Sequence, residues 1–221
     1  IPMCLNLGIN KDYLIQTIME QFPPPDKLES NLKESIFMIT RSFDVNKPGK
    51  LPQDLIGGVI GGSLTSGNFN LDDEVLILPG QYRLNQGKTP FWEYAPFKSK
   101  IVSMESGYHQ LTKLYRGGLT SLGTEIDPFF TQNNKLSGQI VIKREMEDDS
   151  FYGIHSQIKM TYYSLEDGSL KIHQRYFLQI GSQSLEGKLV KTNKNQLSFI
   201  LKKPCVVVYQ NKILVSEKNN K

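Results

Sequence analysis

Cysteine is nearly missing from this chain of 221 residues: Cys4 and Cys205 are the only two, and neither has a further cysteine or a histidine at metal-ligand spacing. That argues against a disulfide framework and a zinc site, and it fits a reducing compartment such as the cytoplasm. Long apolar runs are missing too. Ile36 to Ile39 and Cys205 to Tyr209 are strand-sized, far short of the roughly 18 residues that cross a bilayer, so no membrane association is expected. No G-x-x-x-x-G-K-[ST] occurs, so the loop whose N–H groups, Lys and hydroxyl hold a nucleotide and its magnesium is absent from the sequence. Gly57-Gly58 and Gly61-Gly62 have no following Lys, and Asn10-Lys11-Asp12 lacks the spacer of a guanine-reading Asn-Lys-x-Asp. His109, His155 and His173 are scattered, and neither H-E-x-x-H nor G-x-S-x-G is present, so no catalytic constellation is found. Glu145-Met146-Glu147-Asp148-Asp149 has no second set of ligands for a cation and reads as a solvated acidic turn.

What is present is ordinary for a folded protein: 38% hydrophobic and 22% charged residues exclude a disordered composition. The net charge of +4 is unevenly placed, because residues 135 to 221 hold 14 basic against 8 acidic side chains. A polyanion partner and a Lys-rich solvated surface both account for that excess. Ile1-Pro2-Met3-Cys4 resembles neither a signal peptide nor a natural start, and the chain reads as cut from something longer. A short strand over Ile1 to Leu7 is expected, then one helix from Lys11 to Gln21. Asn10 is its candidate N-cap, and Leu14, Ile15, Ile18 and Met19 form one apolar stripe. Pro23-Pro24-Pro25 ends it.

From Ser35 onward, short apolar or alternating runs are separated by Gly, Pro, Asn and Asp, the signature of an all-β fold. Phe37, Ile39 and Phe43 alternate with Met38, Thr40 and Ser42, and further strands are expected at Gly58 to Leu64, Glu74 to Leu78, Ser99 to Met104 and Leu119 to Thr124. A second set begins at Gly138 to Ile142 and continues through His155 to Ser164, His173 to Ile180, Gly187 to Lys191, Leu197 to Lys202, Cys205 to Tyr209 and Ile213 to Ser216. Asp167-Gly168 signals a hairpin. Many short strands without intervening helices favour closed barrels, which remove exposed sheet edges. Two consecutive β-barrels are therefore predicted, with a seam near Asn133 to Ser137.

Arg41-Ser42-Phe43-Asp44-Val45-Asn46-Lys47-Pro48-Gly49, followed by Asp54-Leu55-Ile56-Gly57-Gly58-Val59-Ile60-Gly61-Gly62-Ser63, resembles the second domain of the gamma subunit of eukaryotic and archaeal translation initiation factor 2. The likeness continues in the family's order through Ile101-Val102-Ser103, Gly117-Gly118-Leu119, Gly123-Thr124-Glu125-Ile126-Asp127-Pro128 and Leu136-Ser137-Gly138-Gln139-Ile140-Val141, and more weakly to Cys205-Val206. The resemblance implies residues 1–25 as a remnant of the GTP-binding domain, 26–134 as barrel domain two and 135–221 as barrel domain three. The expected role is to bind initiator methionyl-tRNA and the alpha subunit and to help deliver the tRNA to the small ribosomal subunit. The complete family member would be a GTPase using GTP and magnesium and would hold the beta subunit through the missing domain. No enzymatic activity and no cofactor are expected of this chain.

Carried over residue by residue, the resemblance implies a face for the tRNA acceptor end at Gly61, Gly62 and Ser63 and at Ile101, Val102, Ser103 and Met104. Glycines within a strand pattern otherwise mark bulges or barrel curvature. The alpha subunit is expected on Lys47, Lys50 and Asp54 of one loop and on Phe91, Trp92, Tyr94 and Phe97 of a longer connection from Gln81 to Phe97, whose aromatics equally suit a satellite core. Departures from the family are Cys4-Leu5 in place of a Ser-Ala pair, a long insertion reduced to Leu165 to Lys171, and no Trp/Gly-rich strand after Ser216-Glu217, which leaves closure of the third-domain barrel open. A selenocysteine-type elongation factor and the barrel domains of a nucleotide-activating enzyme are the competing readings.

Overall fold

A computed structural model describes residues 2–22, 34–86, 91–146, 151–163, 170–193, 195–209 and 211–217. The chain divides into two units, Ile1–Asn31 and Leu32–Lys221. In the first, the expected strand at Ile1 to Leu7 is instead a 3-10 turn at Leu5–Leu7, closed by Gly8 in the left-handed region, with a single bridge between Cys4 and Ile9. A strand needs a ladder, and here the chain turns back on itself after one pair. The helix α1 spans Lys11–Gln21 as predicted, but Asn10 does not cap it with its side chain. At φ 59° its amide is turned away from the first-turn N–H groups and donates to Pro2 O at 2.7 Å. The predicted stripe has no buried residue, and Ile15, Ile18 and Met19 are exposed.

The second unit is built of strands throughout. β1 (Ile36–Phe43), β2 (Val59–Ser66), β3 (Asn68–Asn70), β4 (Glu74–Asn85), β5 (Phe91–Ser106), β6 (His109–Gln110), β7 (Lys113–Tyr115), β8 (Thr120–Thr124) and β9 (Ile140–Lys143) come first. Their antiparallel pairing runs β4-β9-β1-β2-β8-β5, and β5 pairs with β4 again, so six strands close a barrel; β6 extends β5, and β3 with β7 forms a separate ribbon. Phe37, Ile39, Ile60, Leu64, Ile77, Ile101 and Leu122 fill the interior, almost wholly removed from water.

β10 (Tyr152–Thr161), β11 (Arg175–Ile180), β12 (Gln183–Asn193), β13 (Gln196–Val208) and β14 (Ile213–Glu217) form a second sheet in the order β10-β13-β12-β11-β14. No pairing joins β10 to β14 among the described residues. Strict alternation in β11 buries Tyr176, Leu178 and Ile180 against Leu189 and Phe199. A third apolar cluster joins the two sheets: Ile36, Leu76, Leu78, Ile140 and Ile142 from the barrel pack with Tyr152 and Val206. Ser182 Oγ also donates to Ile39 O at 2.8 Å.

Four strand expectations are corrected. Gly138 to Ile142, read as opening the second set, is β9 and lies between β1 and β4, because its consecutive buried Ile140, Val141 and Ile142 face the barrel interior on one side and the inter-sheet cluster on the other. The connection from Gln81 to Phe97 is mostly strand: Gln81–Asn85 of β4 pair with Phe91–Ala95 of β5. Leu197 to Lys202 and Cys205 to Tyr209 fuse into β13 through Pro204, whose missing N–H is tolerated at a bulge where β10 pairing jumps from His155↔Cys205 to Gln157↔Ile200. In β1, Phe43 is exposed while Ser42 is buried, since the register slips between Ile39 and Arg41 and inverts the alternation. The Asp167-Gly168 signal lies outside the described residues.

Candidate nucleic-acid and protein interface

Strands β2, β8 and β5 stand side by side in the barrel wall. In β2, Ile60, Gly62 and Leu64 turn inward and are buried, which leaves Val59, Gly61 and Ser63 on the outside. The register carries that outer row across the wall: Arg41 is opposite Gly61, Gly61 opposite Ser121, and Ser121 opposite Glu105. The next row is Phe43, Val59, Gly123 and Ser103. The result is a floor of small residues, Gly61, Ser121 and Ser103, with Gly123 buried beneath the Ser103 side chain, Phe43 and the charged Arg41 at one margin and Glu105 at the other. Arg41 is exposed and pairs with no carboxylate among the described residues.

Of the seven residues expected at the acceptor end, Gly61, Ser63, Val102 and Ser103 reach this outer side. Val102 and Ser103 are both exposed because a bulge falls between Ile101↔Thr124 and Ser103↔Gly123, making Val102 the extra residue. Ile101 and Met104 belong to the core, at 0% and 1% exposure, and act only by fixing the strand. Ser63 Oγ donates to Gly118 O at 2.9 Å. The glycines divide on steric grounds. A Cβ on Gly57 would lie 1.9 Å from Thr124 O, on Gly58 2.2 Å from the Thr131 methyl carbon, and on Gly62 1.9 Å from Met38 O, so the fold itself requires all three. A Cβ on Gly61 would meet only the Phe43 ring, at an ordinary 3.5 Å. The barrel does not need a glycine there. Arg41, Ser121 and Glu105 were missed in the sequence because only the strand register brings them to this row.

The segments expected to hold the alpha subunit are shaped differently from the expectation. The Lys47–Asp54 loop is closed at its base by Asn46, whose amide donates to Ile56 O at 2.8 Å while its Oδ1 accepts from Ile56 N at 2.8 Å. Asp44 Oδ1 accepts from both the backbone and the side chain of Asn46, and these bonds, with the charge of Lys50, hold its carboxyl below the usual range. Lys47, Lys50 and Asp54 are exposed on that loop. Beyond Gly80, β4 and β5 pair only with each other and form a two-stranded arm with Tyr82 opposite Tyr94 and Leu84 opposite Trp92. Phe91 and Tyr94 are exposed at 53% and 49%, on opposite faces of the arm: Tyr94 lies on the face of Tyr82 and Trp92, and Phe91 on the other. Trp92 is half-buried with its ring edge-on to Tyr82 at 5.8 Å, and Lys203 Nζ of β13 donates to the Tyr82 hydroxyl at 3.0 Å. Phe97 packs on Phe130 at 4.9 Å beside the barrel core. Arg83 and Asn85 hydrogen-bond Glu93 on the face that also carries Phe91, and those bonds hold the Glu93 carboxyl low, Asn85 first.

The densest charge cluster is internally matched. Asp72 pairs with Lys100 at 2.9 Å, Asp73 with Lys143 at 2.9 Å and Glu74 with Arg144 at 2.6 Å. The Asp72 contact raises the Lys100 pKa. Asp72, Asp73 and Glu74 thus each hold a cation, and Glu145 lines the same cleft. Burial pushes the Cys205 thiol up to about 12, which makes it a core side chain and a poor nucleophile. Before α1, Gly8 closes a 3-10 turn and the Asn10 amide is tied to Pro2. Among the described residues no group of His, Cys, Asp or Glu could hold a metal ion, and no helix is long and apolar enough to cross a membrane.

No protein-family model matches the chain. It is 31% identical over 210 residues to "Translation initiation factor 2 subunit gamma" of Pyrococcus furiosus, covering 92% of this chain and 50% of that protein. The protein of the same name from Sulfurisphaera tokodaii is 33% identical over 219 residues, covering 94% and 50%. That from Methanococcus maripaludis is 31% identical over 228 residues, covering 99% and 53%. In three dimensions the chain is similar to translation elongation factor SelB from Methanococcus maripaludis, with a TM-score of 0.69, 13% identity and coverage of 100% of this chain and 48% of that one. It is also similar to a bacterial selenocysteine-specific elongation factor, with a TM-score of 0.66, 19% identity and coverage of 97% and 31%. At those identities the structural likeness establishes the translation-factor fold, and the sequence relatives decide within it. The chain belongs to the translation initiation factor 2 gamma-subunit family and spans about half the length of the relatives it matches.

Proposed function

We propose that this part of a translation initiation factor binds initiator methionyl-tRNA and the alpha subunit and helps deliver the tRNA to the small ribosomal subunit in the cytoplasm. The acceptor end lies on the outer wall of β2, β8 and β5. The alpha subunit docks on the Lys47–Asp54 loop and on the exposed Phe91 and Tyr94 of the arm. GTP, magnesium, GTP hydrolysis and the beta subunit belong, in this reading, to the part of the protein beyond this chain, and domain two and domain three are the barrel and the second sheet. The observation that carries the reading is Gly61: among the tested glycines of β2 and its approach it alone is not demanded by the fold, and it opens a small-residue floor between Arg41 and Glu105. A bare backbone of that kind admits a terminal nucleotide and its aminoacyl group closely.

Filter binding with methionylated and uncharged initiator tRNA tests this. The chain is expected to prefer the methionylated form, and Gly61→Val is expected to abolish the preference. Equal binding of both forms by the unaltered chain would count against the site.

A further inference from the structure

The outer face of the second sheet carries cations that the fold leaves uncompensated. Register places Lys159 of β10 opposite Ser198 of β13, and Ser198 opposite Lys191 of β12. In the neighbouring row Gln157 is opposite Ile200, Ile200 opposite Lys188, and Lys188 opposite Arg175. The alternate residues Ile158, Leu189, Phe199 and Tyr176 are buried, so both rows face outward. Lys159, Lys188 and Lys191 are exposed and pair with no carboxylate among the described residues, while Glu186 beside them is held by Arg175 at 2.8 Å. Glu186 takes up the charge of Arg175, and Lys188 opposite Arg175 is left with no carboxylate of its own among the described residues.

We infer that this face, centred on Lys159, Lys188 and Lys191, binds the sugar-phosphate backbone of RNA. Charge complementarity argues for a polyanion, and the spread of the three cations over neighbouring strands suits a line of phosphates, with Ser198 and Gln157 between them as hydrogen-bonding groups. A membrane surface is disfavoured, because the exposed apolar side chains of this face, Ile200, Phe177 and Leu214, stand singly among charged and polar neighbours and form no continuous apolar stripe. The inference rests on the proposed function only in the choice of RNA among polyanions.

Fluorescence anisotropy of the 221-residue chain with a short RNA hairpin, across a salt series, tests it. The K159Q/K188Q/K191Q variant is expected to lose about tenfold or more in affinity at low salt and to flatten the log-log salt slope by about 2. The triple Lys→Arg variant is expected to keep both. Unchanged affinity and slope in the Gln variant, with an unchanged melting temperature, would overturn the inference. Weaker binding to phosphatidylserine-containing vesicles with RNA binding intact would overturn it in favour of a membrane. If the Gln variant loses RNA while Gly61→Val leaves the preference for methionylated tRNA intact, the face stands and the acceptor-end site fails; the reverse pattern retains that site and removes this face.

Discussion

Gly61 and Gly62 are neighbours in one strand and cannot be told apart by composition, yet they stand on opposite sides of the barrel wall. Gly62 abuts the Met38 carbonyl, and no side chain fits without moving β1. Gly61 has room, and a glycine inside a strand is entropically costly, so replacing it there relieves a penalty without adding a clash. Gly61→Ala is therefore expected to raise stability by about 0.5 kcal/mol, and Gly62→Ala to lower it by about 2 kcal/mol. Urea denaturation of the two variants measures the difference, and the opposite signs are the result that matters. Similar losses in both would mean that the fold demands glycine at both places.

Strands and loops show why reading the sequence went only part of the way. The positions of most strands follow from the short runs between turn residues, and β11 lies within the strand expected at His173 to Ile180, although its exposed Phe177 is not foretold by residue type. Faces are harder, because one bulge residue reverses every side chain after it. The slips near Thr40 and at Val102 put Phe43, Val102 and Ser103 on the outer wall, where alternation alone does not place them together. The arm was hidden for another reason: its aromatic residues imply contact but not with what. Tyr82 and Trp92 are occupied with each other and with Lys203, whereas Phe91 and Tyr94 are open. Tyr94→Ala is thus expected to weaken alpha-subunit capture about tenfold or more, as removal of an interface aromatic does, without lowering the melting temperature. Trp92→Ala is expected to act through loss of arm structure, with a lower melting temperature. Calorimetric titration of each variant with the alpha subunit, beside thermal melts, separates the two; an unaltered affinity for Tyr94→Ala would take the Tyr94 face of the arm out of the interface.

Taken as a unit, residues 32–221 combine a closed barrel with a second sheet through a shared apolar cluster and the Ser182 to Ile39 hydrogen bond. That attachment gives the barrel wall, the arm and the cationic sheet face a fixed frame, on which an extended RNA and a protein subunit can be held at separate places. The account turns on which side of the barrel meets the acceptor end. Photocrosslinking from a 3′-terminal adenosine analogue on methionyl initiator tRNA, with the attached peptides mapped by mass spectrometry, reads that out. Crosslinks within Val59–Ser63 and Val102–Glu105 are predicted; crosslinks confined to the second sheet, or to the arm, would contradict it.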